Sequence, residues 1–198
     1  MKKGFTLIEM LVVIGIITIL TGASLAAFSK MTRSAEKTKC EELVKNTATA
    51  LAYLYQQNGA WPRLLRSSGS GAKLDQNYAR ALANNMGLTL KNDVLAGNDR
   101  FGIVTPWAQA VLKRRGTSAS LGDRVTNGTL EDHILHFAID LDGDGIITGI
   151  DVGGETVNLR ATAAVWCCGR DGVLEPYSKG LRKDDVYSWS HGQTESVQ

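Results

Sequence analysis

Lys2-Lys3-Gly4-Phe5-Thr6-Leu7-Ile8-Glu9 opens the chain, and residues 10–28 behind it contain no charged side chain and no proline. With residues 5–8 ahead of it, that run is long enough to cross a bilayer as a helix. An ordinary cleaved secretory signal places its small residues after the apolar core. Here Gly4 comes before it, so the order predicts a membrane-spanning helix. Lys2 and Lys3 at its front put the N-terminus in the cytoplasm and the remaining residues across the membrane.

Glu9 is the one carboxylate near this run, and an ionised carboxylate inside a membrane helix costs a few kcal/mol unless paired or functional. One reading leaves Glu9 at headgroup level. Another cuts the chain between Gly4 and Phe5, which removes both lysines and leaves a new α-amine at helical i, i+4 spacing from Glu9. The pair can then form within one chain or between neighbours.

Lys3-Gly4-Phe5-Thr6-Leu7-Ile8-Glu9 resembles the class III signal of type IV pilins and type II secretion pseudopilins. The resemblance implies cleavage after Gly4 by a prepilin peptidase, N-methylation of Phe5, and use of Glu9 to register each subunit against its neighbour. It implies residence in a bacterial inner membrane with the C-terminal domain periplasmic, then self-assembly into a filament. The partners implied are minor pseudopilins and the inner-membrane secretion platform.

Composition agrees with a single modest domain beyond the helix: 198 residues, 43% hydrophobic and 21% charged. Net charge is +2, and loss of Lys2 and Lys3 would leave acidic and basic side chains in balance. No basic excess remains to neutralise phosphates, so nucleic acid is not an expected partner. The three cysteines are Cys40, Cys167 and Cys168. An exported domain permits one disulfide; a strained vicinal ring and a bridge from Cys40 to either of the others stay open.

Past Phe28 the pattern becomes one-sided. Cys40, Val44, Thr47, Ala48, Leu51, Leu54 and Tyr55 recur at three- and four-residue spacing. One helix over residues 5–58, roughly 80 Å long at about 1.5 Å per residue, is expected to lay that stripe on a sheet, with Asn58-Gly59 as its stop. Two helices broken near Gly22 or Ser29 are the alternative. The domains expected are a leader (1–4), an apolar half-helix (5–28), an amphipathic half-helix (29–58) and a globular domain (59–198). Residues 66–73 read as a polar loop. A short helix carries Leu74, Tyr78, Leu82 and Met86, with Gly87 at its end. Thr105-Pro106 is expected to cap another that ends on Lys113-Arg114-Arg115.

The second half reads as β. Residues 134–139 and 146–150 flank an Asp-Gly-rich turn, and residues 157–166 supply a third strand, giving a small antiparallel sheet and an α+β class. The turn, Asp140-Leu141-Asp142-Gly143-Asp144-Gly145 through Asp151, has the spacing of a twelve-residue calcium loop: Asp140, Asp142, Asp144 and Asp151 at positions 1, 3, 5 and 12, and glycine at 6. A strand precedes it where an EF-hand has a helix, so a plain hairpin tip is the competing reading.

Trp166-Cys167-Cys168-Gly169-Arg170-Asp171-Gly172 and Lys183-Asp184-Asp185-Val186-Tyr187-Ser188-Trp189 resemble the C-terminal loop of the major pseudopilin of type II secretion. The resemblance implies a calcium site with Asp171, Asp184 and Asp185 as carboxylate ligands. Cys167-Cys168 and a long basic connection depart from that pattern, and a solvated acidic loop is the alternative. Asp99-Arg100-Phe101-Gly102 resembles the family's Asp-Pro-Trp-Gly turn.

Catalytic patterns are missing. There is no glycine-rich phosphate loop and no HExxH, and on a strand His133 and His136 would point to opposite faces. The expectation is a non-enzymatic type II secretion pseudopilin. A type IV pilin, or a single-span calcium-binding receptor that never polymerises, stands as the alternative.

Overall fold

A computed structural model describes residues 6–68, 71–86, 102–115, 118–125, 128–180, 184–190 and 194–195. The Gly4-Phe5 junction, Gly87, residues 99–101 and Lys183 lie outside the described residues. Helix α1 (Leu7–Asn58) runs unbroken through Gly22 and Ser29. Gly59 ends it at φ 63°, a left-handed conformation that costs glycine little, and donates its N–H to the Tyr55 carbonyl at 2.8 Å.

Two compact units divide the chain, Met1–Thr38 and Lys39–Gln198. The amphipathic stretch that carries the stripe is therefore part of the globular unit. In the first unit, Met10, Leu11, Val12, Val13 and Ile14 are consecutive and all exposed, so over these residues no face of the helix is covered. Its hydroxyls turn inward: Thr18, Thr21 and Ser24 each donate to the carbonyl four residues back, at 2.7 to 2.8 Å. Among the described residues no helix is long and apolar enough to cross a membrane. The run read as a span includes Ala23 and residues 25–27, whose side chains fall outside the described set.

In the second unit Cys40, Val44, Leu51 and Leu54 are fully buried, while Lys45, Asn46 and Gln56 face water. Strands β1 (Ala72–Lys73), β2 (His136–Ile139), β5 (Ala163–Cys167) and β6 (Val186–Tyr187) form one antiparallel sheet, in the order β1-β2-β5-β6. Strands β3 (Ile147–Val152), β4 (Glu155–Leu159) and β7 (Thr194–Glu195) form a second. Phe137, Ile139, Val165 and Cys167 join the stripe in one core layer. On the opposite face, Ala138, Ala164 and Trp166 meet Ile150, Val152, Val157 and Leu159 of the second sheet. Both faces of β2 and β5 are thus covered, and each large apolar side chain buried there contributes about 1.5–3 kcal/mol.

The fold class is α+β as read, but the strand pairing differs from the expected hairpin. β1 and β5 occupy the two edges of β2, leaving none for β3. The Asp-Gly segment therefore passes from one sheet to the other. Residues 157–166 are likewise two strands, broken at Arg160-Ala161-Thr162, where the chain passes back. The two crossings are tied by the Asp140 N–H, which donates to the Thr162 carbonyl at 3.0 Å.

Helix α2 (Gln76–Met86) starts on Asp75, whose carboxylate accepts the N–H groups of Asn77 and Tyr78. Helix α3 (Pro106–Arg115) follows Thr105, but the Thr105 hydroxyl lies 3.1 Å from His133 Nδ1 rather than capping it. Of the basic residues ending α3, Arg115 pairs with Asp123 at 2.8 Å. A four-residue turn of helix, α4 (Tyr177–Gly180), precedes β6.

His136 stacks on Trp166 with ring centroids 5.7 Å apart. Burial, aided by the Lys73 charge, lowers its pKa to about 4 against an opposing pull from Asp132. A folded-state pKa below the unfolded value gives a contribution that is full above about pH 6.5 and is lost as pH falls toward 4. Its ceiling is about 3 kcal/mol. His136→Phe keeps the stacked ring and removes the titration. Urea unfolding at pH 7.5 and 4.5 should show wild type losing stability relative to the variant at the lower pH; parallel behaviour would refute this.

Candidate functional site

At the N-terminus, Thr6 and Glu9 form a reciprocal cap. The Thr6 N–H and hydroxyl donate to Glu9 Oε2 at 2.8 and 2.6 Å, and the Glu9 N–H reaches back to Thr6 Oγ1 at 3.4 Å. This is a capping box, Thr-x-x-Glu ahead of an apolar run, a pattern visible in the sequence but not used in reading it. It holds the Glu9 carboxylate at the positive end of the helix dipole.

The Asp140 loop is built around one buried carboxylate. Asp140 accepts the N–H of Gly143 at Oδ1 and that of Gly145 at Oδ2, both at 2.8 Å, and its carbonyl accepts the Trp61 indole N–H. Carboxylate oxygens of Asp140, Asp142 and Asp144 converge within 4.8 Å of one another. Asp142 and Asp144 are exposed, and the donor set is hard oxygen, which suits a calcium-sized cation. Asp151 is not in this group. It lies on β3, and its Oδ1 accepts the Gly154 N–H at 2.8 Å in the turn to β4.

The C-terminal carboxylates divide by role. Asp171 and Asp184 come together as read, and the third member within 4.8 Å is Glu175, which the sequence reading passed over although it stands four residues after Asp171. Asp185 is a brace. Its Oδ1 accepts the Gly169 N–H at 2.9 Å, and its Oδ2 accepts the Glu175 N–H at 3.1 Å and the Tyr187 hydroxyl at 3.3 Å. Asp184 accepts the Arg170 N–H at 2.6 Å. The approach is so close that a Cβ on Gly169 would collide with the Asp184 carboxyl group. Burial raises the Asp185 pKa to about 7, with the Glu175 and Asp184 charges adding, while the two backbone bonds oppose it.

No reactive centre emerges from the neighbouring His133, which is fully buried. Cys168 lies 3.8 Å from His133 Nδ1, yet its thiol donates to the Asp132 carbonyl at 2.7 Å, and burial pushes its pKa up. A thiol held protonated and away from water is a poor nucleophile.

Asp185→Ala leaves two buried N–H groups without their acceptor, at about 1–3 kcal/mol each. The exposed Asp171 Oδ1 contact with the Val173 N–H matters far less. In chelator, urea unfolding should place Asp185→Ala several kcal/mol below wild type and Asp171→Ala within about 1 kcal/mol of it. Equal losses would contradict the division into brace and rim.

Residues 1–25 match the family described as the prokaryotic N-terminal methylation motif. A fimbrial protein of Neisseria meningitidis is 33% identical over 75 residues, covering 38% of this chain and 44% of that protein. The type IV major pilin protein PilE of Neisseria gonorrhoeae is 32% identical over 82 residues, 40% of this chain and 49% of that one. Fimbrial protein EcpC of Eikenella corrodens is 30% identical over 81 residues, 41% and 53% respectively. The chain spans about half the length of the curated relatives it matches. No solved structure matches it. These relatives are pilin and fimbrial proteins, not enzymes. With its N-terminal methylation motif, the chain is type IV pilin-like.

Proposed function

We propose that this chain is a structural filament subunit, made as a membrane-anchored precursor and polymerised through α1. The observation that carries the reading is the methylation motif running into a helix whose apolar side chains are exposed all round and whose hydroxyls bond its own backbone. Such a surface requires apolar surroundings, lipid before assembly and neighbouring helices afterwards. The precursor sits in the inner membrane with its N-terminus cytoplasmic and its globular unit periplasmic. A prepilin peptidase cuts after Gly4 and N-methylates Phe5. Glu9, held at the helix start by Thr6, then meets the Phe5 amine of an adjacent subunit, and opposite charges in low dielectric fix the register.

Within this class we read the chain as a type II secretion pseudopilin, acting with minor pseudopilins and an inner-membrane platform. Support comes from the acidic loop at Asp171, Glu175 and Asp184 near the C-terminus. The relatives named as major pilins favour a second reading, a type IV pilin. Deleting the gene in its host separates the two: secreted proteins accumulating in the periplasm support the first, and loss of surface fibres with secretion intact supports the second.

Mass spectrometry of the N-terminal peptide from host membranes should give N-methylated Phe5. Glu9→Ala should abolish filaments without moving the thermal transition of the globular unit. An intact Met1, or assembly that survives Glu9→Ala, would leave a single-span anchored receptor instead.

Calcium is proposed at Asp140, Asp142 and Asp144, with Asp171, Glu175 and Asp184 as a second acidic group. Saturating calcium, at about a hundredfold over its Kd, should stabilise the full chain by roughly 2.7 kcal/mol. Asp142→Asn with Asp144→Asn should remove the part that belongs to the first loop. A melting temperature indifferent to calcium and chelator would dismiss both sites.

A further inference from the structure

We infer that Cys40 and Cys167 form a disulfide that rivets α1 to the central sheet, and that Cys168 remains a thiol. The Sγ atoms of Cys40 and Cys167 lie 3.0 Å apart across 127 residues of chain. That is about 1 Å beyond a sulfur–sulfur bond of about 2.05 Å. Both side chains are fully buried in the same core layer, Cys40 from α1 and Cys167 from β5. Cys168 is the next residue on the chain and its side chain is directed elsewhere, with its thiol donating to the Asp132 carbonyl. Cys167, the last residue of β5, shares the core layer with Cys40, and Cys168, just beyond the strand, is turned to the Asp132 carbonyl.

Position adds to the argument. Cys40 is the first buried residue of α1, as every described side chain before it is exposed or half-exposed. A covalent link there prevents the amphipathic helix from fraying off the sheet from its N-terminal side. A subunit pulled along α1 within a filament would need that resistance.

The chemistry is thiol–disulfide exchange. One of the two sulfurs, as thiolate, attacks a disulfide oxidant, forming a mixed disulfide and releasing one oxidant sulfur as a thiolate. The second cysteine then attacks the mixed disulfide. The Cys40–Cys167 bond forms, the other oxidant sulfur leaves, and the two protons lost by the cysteines end on the two oxidant thiols. Burial raises the Cys167 pKa, with Cys40 adding to the shift, so the folded thiol form reacts slowly and the bond is made during folding. The oxidant class, a protein or small-molecule disulfide, belongs to the periplasm, so the bond in the cell rests on the placement proposed above.

The test uses the full chain in detergent, refolded with reduced and oxidised glutathione, alkylated without reduction and digested with trypsin. The expected product links residues 40–45 to residues 161–170, and fragmentation between Cys167 and Cys168 shows Cys168 alkylated. Reductant should lower the melting temperature by about 5–10 °C in wild type and in Cys168→Ser. Cys40→Ser should be indifferent to reductant. A Cys40–Cys168 link, a vicinal link, a bond between chains or three alkylated cysteines would overturn the inference. Protein taken from host membranes answers a separate question: a link that forms on refolding but is missing there would count against the periplasmic placement, not against the pairing.

Discussion

A helix that is apolar on every side for half its length and on one side for the rest must be accommodated by two kinds of surroundings. In α1 the change is gradual in sequence but sharp in burial, with Cys40, Val44, Leu51 and Leu54 forming the covered stripe. That stripe dictates the composition of the sheet. Phe137, Ile139, Val165 and Cys167 must be apolar because they complete its core layer. Once one face of β2 and β5 is occupied in this way, the other exposes Ala138, Ala164 and Trp166, and it also has to be covered. The second sheet and the aromatic group of Tyr177, Tyr187 and Trp189 cover it. Small side chains at Ala138 and Ala164 permit close packing where Trp166 fills the remainder.

Covering both faces obliges the chain to leave the first sheet and return. Asp140 organises the outward crossing with all of its polar groups. Its N–H is bonded to Thr162, its carbonyl to Trp61, and its carboxylate to the amides of Gly143 and Gly145. An aspartate is thus required at this corner whether or not a cation binds. Asp142 and Asp144 have no equivalent structural duty within the loop beyond the Asp144 contact to the Ile146 N–H. Their convergence on Asp140 is what a metal hypothesis must explain.

The helix, its stop at Asn58-Gly59 and its buried stripe were legible because a 3.6-residue period is a local property of the sequence. Strand partners were not. Alternation reports which side chains share a face, not which strand lies alongside, so residues 157–166 read as one strand despite the break at Arg160-Ala161-Thr162. Asp151 stands outside the group at Asp140 for a similar reason. Position 12 of a calcium loop returns to the metal when a helix begins nearby, whereas Asp151 lies on extended β3 and its Oδ1 accepts the Gly154 N–H. Thr6-x-x-Glu9 has the spacing of a capping box, a geometry that the charge of Glu9 alone does not convey. For Asp185 the sequence does not separate a brace from a ligand, since both call for a carboxylate.

Adjacent Asp184 and Asp185 show how one segment can serve two ends. Asp185 faces inward and fixes the backbone at Gly169 and Glu175, which sets the position of the Glu175 side chain. Asp184 fixes Arg170 and converges with Asp171 and Glu175 on the rim. The loop is therefore closed by carboxylate-to-amide bonds before any cation arrives. A zinc-finger-like dependence of folding on metal does not follow from such an arrangement. A cation here would relieve repulsion among carboxylates that the fold has already brought together, so its influence would be on the rigidity of this loop rather than on the existence of the domain.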